Sequence, residues 1–125
     1  MGMTVEKLMV RSVVALDETD SVGAARQRME HHDISALPVV DTEGAPVGIV
    51  TASDLVIDYD DILPVSRIMT SPLHTLEPDA DVSEAAHLMR QHGHHHVVIL
   101  DEGRIVGIVS SLDLLRVIEL EAVEE

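Results

Sequence analysis

The stretch 22–29 places apolar side chains at Val22, Ala25 and Met29, and 82–89 repeats the arrangement with Val82, Ala85 and Met89. This i, i+3, i+7 spacing predicts two amphipathic helices, each burying one face. Around each helix the pattern changes to short apolar runs: 13–16, 37–40 and 47–50 in the first half, then 73–76, 97–100 and 105–109 in the second. Runs of this length, rich in Val, Ile and Leu, predict strands. Asp20/Ser21 and Asp81 stand where an N-cap belongs. Asp41-Thr42-Glu43-Gly44 and Asp101-Glu102-Gly103 supply turns of hairpin length. A closing helix is predicted over 53–59 in the first half and over 111–121 in the second.

These patterns are one pattern written twice. At an offset of 60, Met9, Leu16, Val22, Ala25, Met29, His32 and Asp41 fall on Met69, Leu76, Val82, Ala85, Met89, His92 and Asp101. After a one-residue deletion in the turn, Val47-Gly48-Ile49-Val50 falls on Val106-Gly107-Ile108-Val109, and Asp54-Leu55 on Asp113-Leu114. The duplication divides the chain into repeats at 7–61 and 62–118 with an acidic tail at 119–125. Pro64 and Pro72 bracket a short helical turn at 65–69 that joins the copies. A unit of about 50 residues has little core of its own, so the copies are expected to pack on one another. The fold class expected is α/β: two β-α-β-β-α repeats packed with pseudo-two-fold symmetry.

Composition narrows the functional classes. One Tyr and no Phe or Trp leave a core of Val, Ile, Leu, Met and Ala. The absence of Cys removes disulfides, thiol catalysis and Cys-based zinc sites. No segment approaches the roughly 18 apolar residues of a membrane span, and the N-terminus carries no secretory pattern, so a cytoplasmic protein is expected. The formal net charge is −15, with Lys7 the only lysine. Such a field repels phosphate backbones and anionic lipid, which argues against nucleic acid and membrane as partners. Scarce Lys beside abundant Asp and Glu is also the pattern of a chain adapted to high salt, for which thermal stability would rise with salt. An ordinary acidic surface gives the same count.

The most strictly repeated element is Gly48-Ile49-Val50-Thr51-Ala52-Ser53-Asp54 against Gly107-Ile108-Val109-Ser110-Ser111-Leu112-Asp113. A strand ends, a hydroxyl residue stands at the helix entry, and an Asp follows three residues later. The local reading is a capping box. The same geometry suits a nucleotide: free N–H groups and a hydroxyl receive phosphate, and a carboxylate takes both ribose hydroxyls. Both readings hold together.

Together with the duplication and Leu37-Pro38-Val39-Val40-Asp41, these motifs make the chain, from about Lys7 to Arg116, resemble a tandem pair of cystathionine β-synthase (CBS) domains, the Bateman module. That resemblance implies regulation rather than catalysis. It implies binding of adenosine-containing ligands (AMP, ADP, ATP or S-adenosylmethionine) in clefts between the copies, association as homodimers of pairs, and an effector protein that the chain does not name. Carried over, Thr51 with Asp54 and Ser110 with Asp113 hold phosphate and ribose. Val13, Val14, Ala36 and Pro38 in copy one, and Leu73, His74, His96 and Val98 in copy two, flank adenine. Val98 stands where copy one has Pro38, so the two clefts are not expected to be equally formed.

The segment Arg90-Gln91-His92-Gly93-His94-His95-His96 concentrates four histidines in five positions. A metal site needs convergent ligands, which proximity in sequence does not supply, and none is expected. An exposed polar crossover is one reading. In the other, His95 and His96, which align with Ser35 and Ala36, face the phosphates of a nucleotide, and Arg28, Arg67, Arg90 and Arg104 are further phosphate candidates. His92 and His94 need no special role in either. The rival function is a ligand-free pair serving as a dimerisation scaffold. No nucleophile elbow or paired carboxylates support an enzyme.

Overall fold

A computed structural model of the chain describes residues 2–11 and 13–124. It divides into two compact units: Val13–Leu73 is one, and the leader joined to His74 and the chain beyond is the other.

In the Val13–Leu73 unit, β1 (Leu16–Asp17), α1 (Val22–His32), β2 (Ala36–Val40) and β3 (Pro46–Thr51) follow one another. The sheet order is β1-β2-β3, parallel at Leu16↔Val39 and antiparallel from Ala36↔Thr51 to Val40↔Pro46. Ser21 caps α1, its Oγ accepting from the Ala24 N–H at 3.0 Å, and Asp33 in the left-handed region ends it. Val22, Ala25 and Met29 turn inward onto Leu16, Leu37, Val39 and Val50, as their spacing predicts.

The second unit carries the same elements: β4 (Thr75–Leu76), α2 (Val82–His92), β5 (His96–Asp101), β6 (Arg104–Ser110) and α3 (Ser111–Glu124). Asp81 and Glu84 form a reciprocal capping box on α2. The β5–β6 turn passes through Glu102 and Gly103 at φ 52° and 80°, the two left-handed residues that a tight hairpin requires. Ala85 and Met89 pack on Val97, Ile99 and Val109.

The leader and the joint are distributed crosswise. A 3-10 turn at Val5–Lys7 buries Val5 in the second unit, and its counterpart at Val65–Arg67 buries Val65 in the first. After each turn the chain pairs with the outer edge of the closing strand. Val10 and Ile108 exchange hydrogen bonds at 2.9 and 3.1 Å, and Thr70 and Ile49 at 2.9 and 3.0 Å. The repeated glycine of the closing motif lies under this crossing. A Cβ on Gly48 would sit 2.6 Å from Met69 Sδ and 2.9 Å from the Thr70 carbonyl oxygen, and one on Gly107 would meet the side chain of Met9.

Two sequence expectations are corrected. The first strand of each copy is only two residues long, so Val13, Val14, Leu73 and His74 lie on its approach. In copy one the Ala15 carbonyl accepts from Arg28 at 3.1 Å. The closing helix expected over 53–59 is a single 3-10 turn, Asp54–Val56. Arg26 donates to the carbonyls of Leu55 and Ile57 at 2.8 and 2.9 Å, occupying acceptors that a helix would use, and the Asp-rich 58–61 stretch is a poor helix former. Among the described residues no helix is long and apolar enough to cross a membrane.

Candidate functional site

The closing motif is built by the strand end itself. In copy one the Thr51 N–H donates to Asp54 Oδ2 at 2.8 Å and the Thr51 hydroxyl donates to the same oxygen at 3.2 Å. In copy two the Ser110 N–H donates to Asp113 Oδ2 at 2.8 Å, and the Asp113 N–H returns a bond to Ser110 Oγ at 3.2 Å. Each carboxylate is thus fixed by one oxygen, and all four residues are half-buried. The copies differ at the other oxygen. Asp113 Oδ1 faces Arg116 at 3.4 Å, and Arg116 also donates to the Leu8 carbonyl at 3.2 Å. Asp54 Oδ1 has no such protein partner among the described residues.

Strand register places the remaining candidates. Ala36 is directly opposite Thr51, and His96 directly opposite Ser110. Each hydroxyl residue therefore shares a cross-strand pair with the residue assigned to the adenine side. The approach to the motif is tied in both copies: the Ala52 N–H donates to the Ser35 carbonyl, and the Ser111 N–H to the His95 carbonyl, each at 2.9 Å. Pro38 and Val98 are fully buried in the centres of their sheets, without free side-chain surface; Val13, Val14, Leu73 and His74 are half-buried.

The histidines separate into two groups. His95 is exposed, whereas His96 is half-buried. Burial, reinforced by His95 and opposed by Asp113, holds the His96 imidazole below its ordinary range, so the ligand-free ring is neutral at pH 7. His92 stacks on His74 with the ring centroids 3.9 Å apart, and His94 lies tilted against His74 at 5.1 Å. Among the described residues no group of three His, Asp or Glu side chains is arranged to hold a metal ion.

The arginines are also sorted by geometry. Arg28 is a strut bound to Ala15 and, at 2.9 Å, to Asp20, which leaves it committed to the fold. Arg67, Arg90 and Arg104 are exposed. Arg26 and Arg116, which the sequence reading passed over, are the ones tied to the closing motifs. The i, i+3 spacing of Asp113 and Arg116 was the available signal for one; Arg26 had none. An open cleft of about 620 Å³ on the second unit is lined by Glu77, Asp79, Glu84 and Glu102, a wall that repels phosphate and lies away from both motifs.

Comparison with known proteins bears on the same residues. The family model described as CBS domain matches twice, at residues 5–60 and 65–120. The uncharacterized protein MJ1404 of Methanocaldococcus jannaschii is 33% identical, over 91% of this chain and 31% of that protein. The inosine-5'-monophosphate dehydrogenase of the same organism is 33% identical, over 89% of this chain and 23% of the enzyme. The chain therefore spans well under two thirds of either relative, and in the dehydrogenase it matches one part of a larger protein. Among solved structures, the CBS domain pair of protein MJ0100, in complex with 5-methylthioadenosine and S-adenosyl-L-methionine, superposes with a TM-score of 0.88 at 27% identity, over 97% of this chain and 99% of that one. Two matched copies, the repeated closing motif and two β-α-β-β sheets agree: the chain belongs to the CBS-domain family as a tandem pair, typically a regulatory module.

Proposed function

We propose that this CBS pair is a regulatory module that binds an adenosine-containing ligand (AMP, ADP, ATP or S-adenosylmethionine) and relays occupancy to an effector protein or to its own assembly. The observation that carries the reading is the pinned carboxylate. Asp54 and Asp113 are each held by a backbone N–H at a strand end beside a hydroxyl, and Asp54 keeps one oxygen for a ribose diol. The complex of the MJ0100 pair with two adenosine compounds supports the ligand class. Ser110, whose hydroxyl accepts from the Asp113 N–H and keeps its own proton, and Thr51, whose hydroxyl turns from Asp54 Oδ2 on binding, receive phosphate, with His95 and His96 as the local cations, while Val13, Val14, Ala36, Leu73 and His74 border adenine. Pro38 and Val98 shape the sheet beneath.

The deciding experiment is a thermal-shift series with AMP, ADP, ATP, S-adenosylmethionine and methylthioadenosine, with guanosine compounds as controls. A ligand at about 100 times its Kd stabilises a protein by about 2.7 kcal/mol, well within detection. Stabilisation by adenosine compounds alone is expected. No shift with any of them sinks the proposal and leaves the scaffold reading. One observation favours that second reading: Leu112, Leu115 and Ile118 form an exposed apolar stripe on α3, 72%, 55% and 63% accessible, suited to association with a second copy.

A pH test separates the phosphate role. Bound phosphate raises the His96 pKa from its depressed free value, so binding takes up a proton. Affinity for AMP or ATP is then greatest at mildly acidic pH and falls as pH rises through the value in the complex. Isothermal titration from pH 6 to 8 checks this. Methylthioadenosine, which has no phosphate, is expected to show no such slope, and His96→Ala to reduce it for AMP, leaving the part due to His95; a slope unchanged in that variant removes His96 from the site.

A further inference from the structure

Three imidazoles from three segments meet in the second unit: His74 on the approach to β4, His92 in the last turn of α2, and His94 in the crossover to β5. The His74–His92 rings are stacked at 3.9 Å with 18° between their planes, and the His74–His94 and His92–His94 centroids are 5.1 and 6.3 Å apart. The copy-one counterparts of His74 and His94 are Val14 and Ile34, both packed against the first unit's core. Where copy one has two apolar side chains packed on its core, copy two therefore has two titratable ones.

We propose that this triad is a proton-operated latch. Neutral rings hold the α2–β5 crossover against the entry to β4, and acidification parts them. Face-to-face packing suits neutral imidazoles, whereas charging His74 and His92 together sets two cations 3.9 Å apart. Among the described residues no carboxylate contributes to the charge that His74 feels. The charges that act on His74 are those of His92 and His94, and the other cation in the last turn of α2 is Arg90. Burial first, then these two neighbours, hold the His74 imidazole below its ordinary range. A pKa lowered on folding means that the folded state binds fewer protons, so the stacked form has its full stability above about pH 6.5 and loses it as pH falls through the folded value.

The stack also argues against a metal site. Imidazoles that share a tetrahedral ion point ring edges at a common centre, whereas His74 and His92 present their faces to each other. The latch bears on the closing motif because the crossover continues into His95, whose carbonyl accepts the Ser111 N–H, and into His96, opposite Ser110. That consequence rests on the proposed ligand site; the latch itself does not.

The test is an NMR titration of the ligand-free chain from pH 5 to 8, following the ring resonances and the backbone amides of Thr75 and residues 93–96. His74 is expected to titrate below pH 6.5, and His92→Gln to move its midpoint upward. The crossover amides should follow the same midpoint. Restoring the copy-one residues with His74→Val and His94→Ile should leave a folded chain whose crossover amides no longer respond to pH over this range. Independent titrations that ignore substitution, or crossover amides indifferent to pH in the unsubstituted chain, overturn the latch. So does saturable binding of one equivalent of zinc that shifts all three rings together, which would make the triad a metal site. None of these outcomes depends on adenosine binding, so a failed ligand screen and a failed latch are distinguishable.

Discussion

Asp54→Asn is expected to lower affinity for the adenosine ligand by about 10- to 100-fold, the loss of about one charge-assisted hydrogen bond or slightly more. Asparagine keeps an acceptor for the Thr51 N–H, so the turn is retained, but it cannot offer two anionic lone pairs to a diol. Asp113→Asn is expected to cost less, because Asp113 Oδ1 is already engaged by Arg116 at 3.4 Å and a ligand must share or displace that contact. Arg116→Gln should then tighten binding at the second copy. Calorimetry on the three variants, with melting temperatures to confirm folding, checks the order. Equal losses at both aspartates would show that the difference between their free oxygens is immaterial, and no loss at either would end the ribose assignment.

The second large effect concerns the glycine of the closing motif. Gly107→Ala places a Cβ 2.7 Å from Met9 Cγ and 2.9 Å from Met9 Cβ, and Gly48→Ala places one 2.6 Å from Met69 Sδ and 2.9 Å from the Thr70 carbonyl oxygen. Overpacking of this kind costs about 1–3 kcal/mol, enough to lower the melting temperature of a chain this size by about 5–15 °C. The obstructions differ in kind. At Gly107 they are all side-chain atoms of Met9, and Met9→Ala removes the two nearest, Sδ and Cγ, while the Cβ stays 2.9 Å away, so the added methyl should cost less in that background without becoming neutral. At Gly48 part of the obstruction is the backbone of Thr70, and Met69→Ala should relieve it less completely. Double-mutant cycles measured by chemical denaturation read the difference. A neutral Gly107→Ala in the unsubstituted background would mean that Met9 swings aside freely and that the close approach is not what demands glycine.

Local features were legible because the chain states them locally. The inward face of α1 at Val22, Ala25 and Met29 follows from a helical period. The Ser21 and Asp81 caps, the hairpin turn at Glu102-Gly103 and the junctions at Thr51–Asp54 and Ser110–Asp113 all lie within a few residues of what they organise. Internal duplication then turned each local reading into two independent ones, and the agreement of the copies carried the family resemblance.

What sequence by itself determined, then, is the pair of β-α-β-β repeats and the position of two hydroxyl–carboxylate motifs at their strand ends, since short-range periodicity and turn chemistry suffice for both. Tertiary structure decided everything that joins distant segments. It placed the leader against the second repeat and the joint against the first. It gave Arg26 the carbonyls of Leu55 and Ile57, which leaves copy one a single 3-10 turn where a helix was expected, and it gave Arg116 to Leu8, 108 positions away. It also gathered His74 with His92 and His94. Nothing in a local pattern records which carbonyl a long side chain will reach, or which rings will meet once sheet and helix have closed on each other.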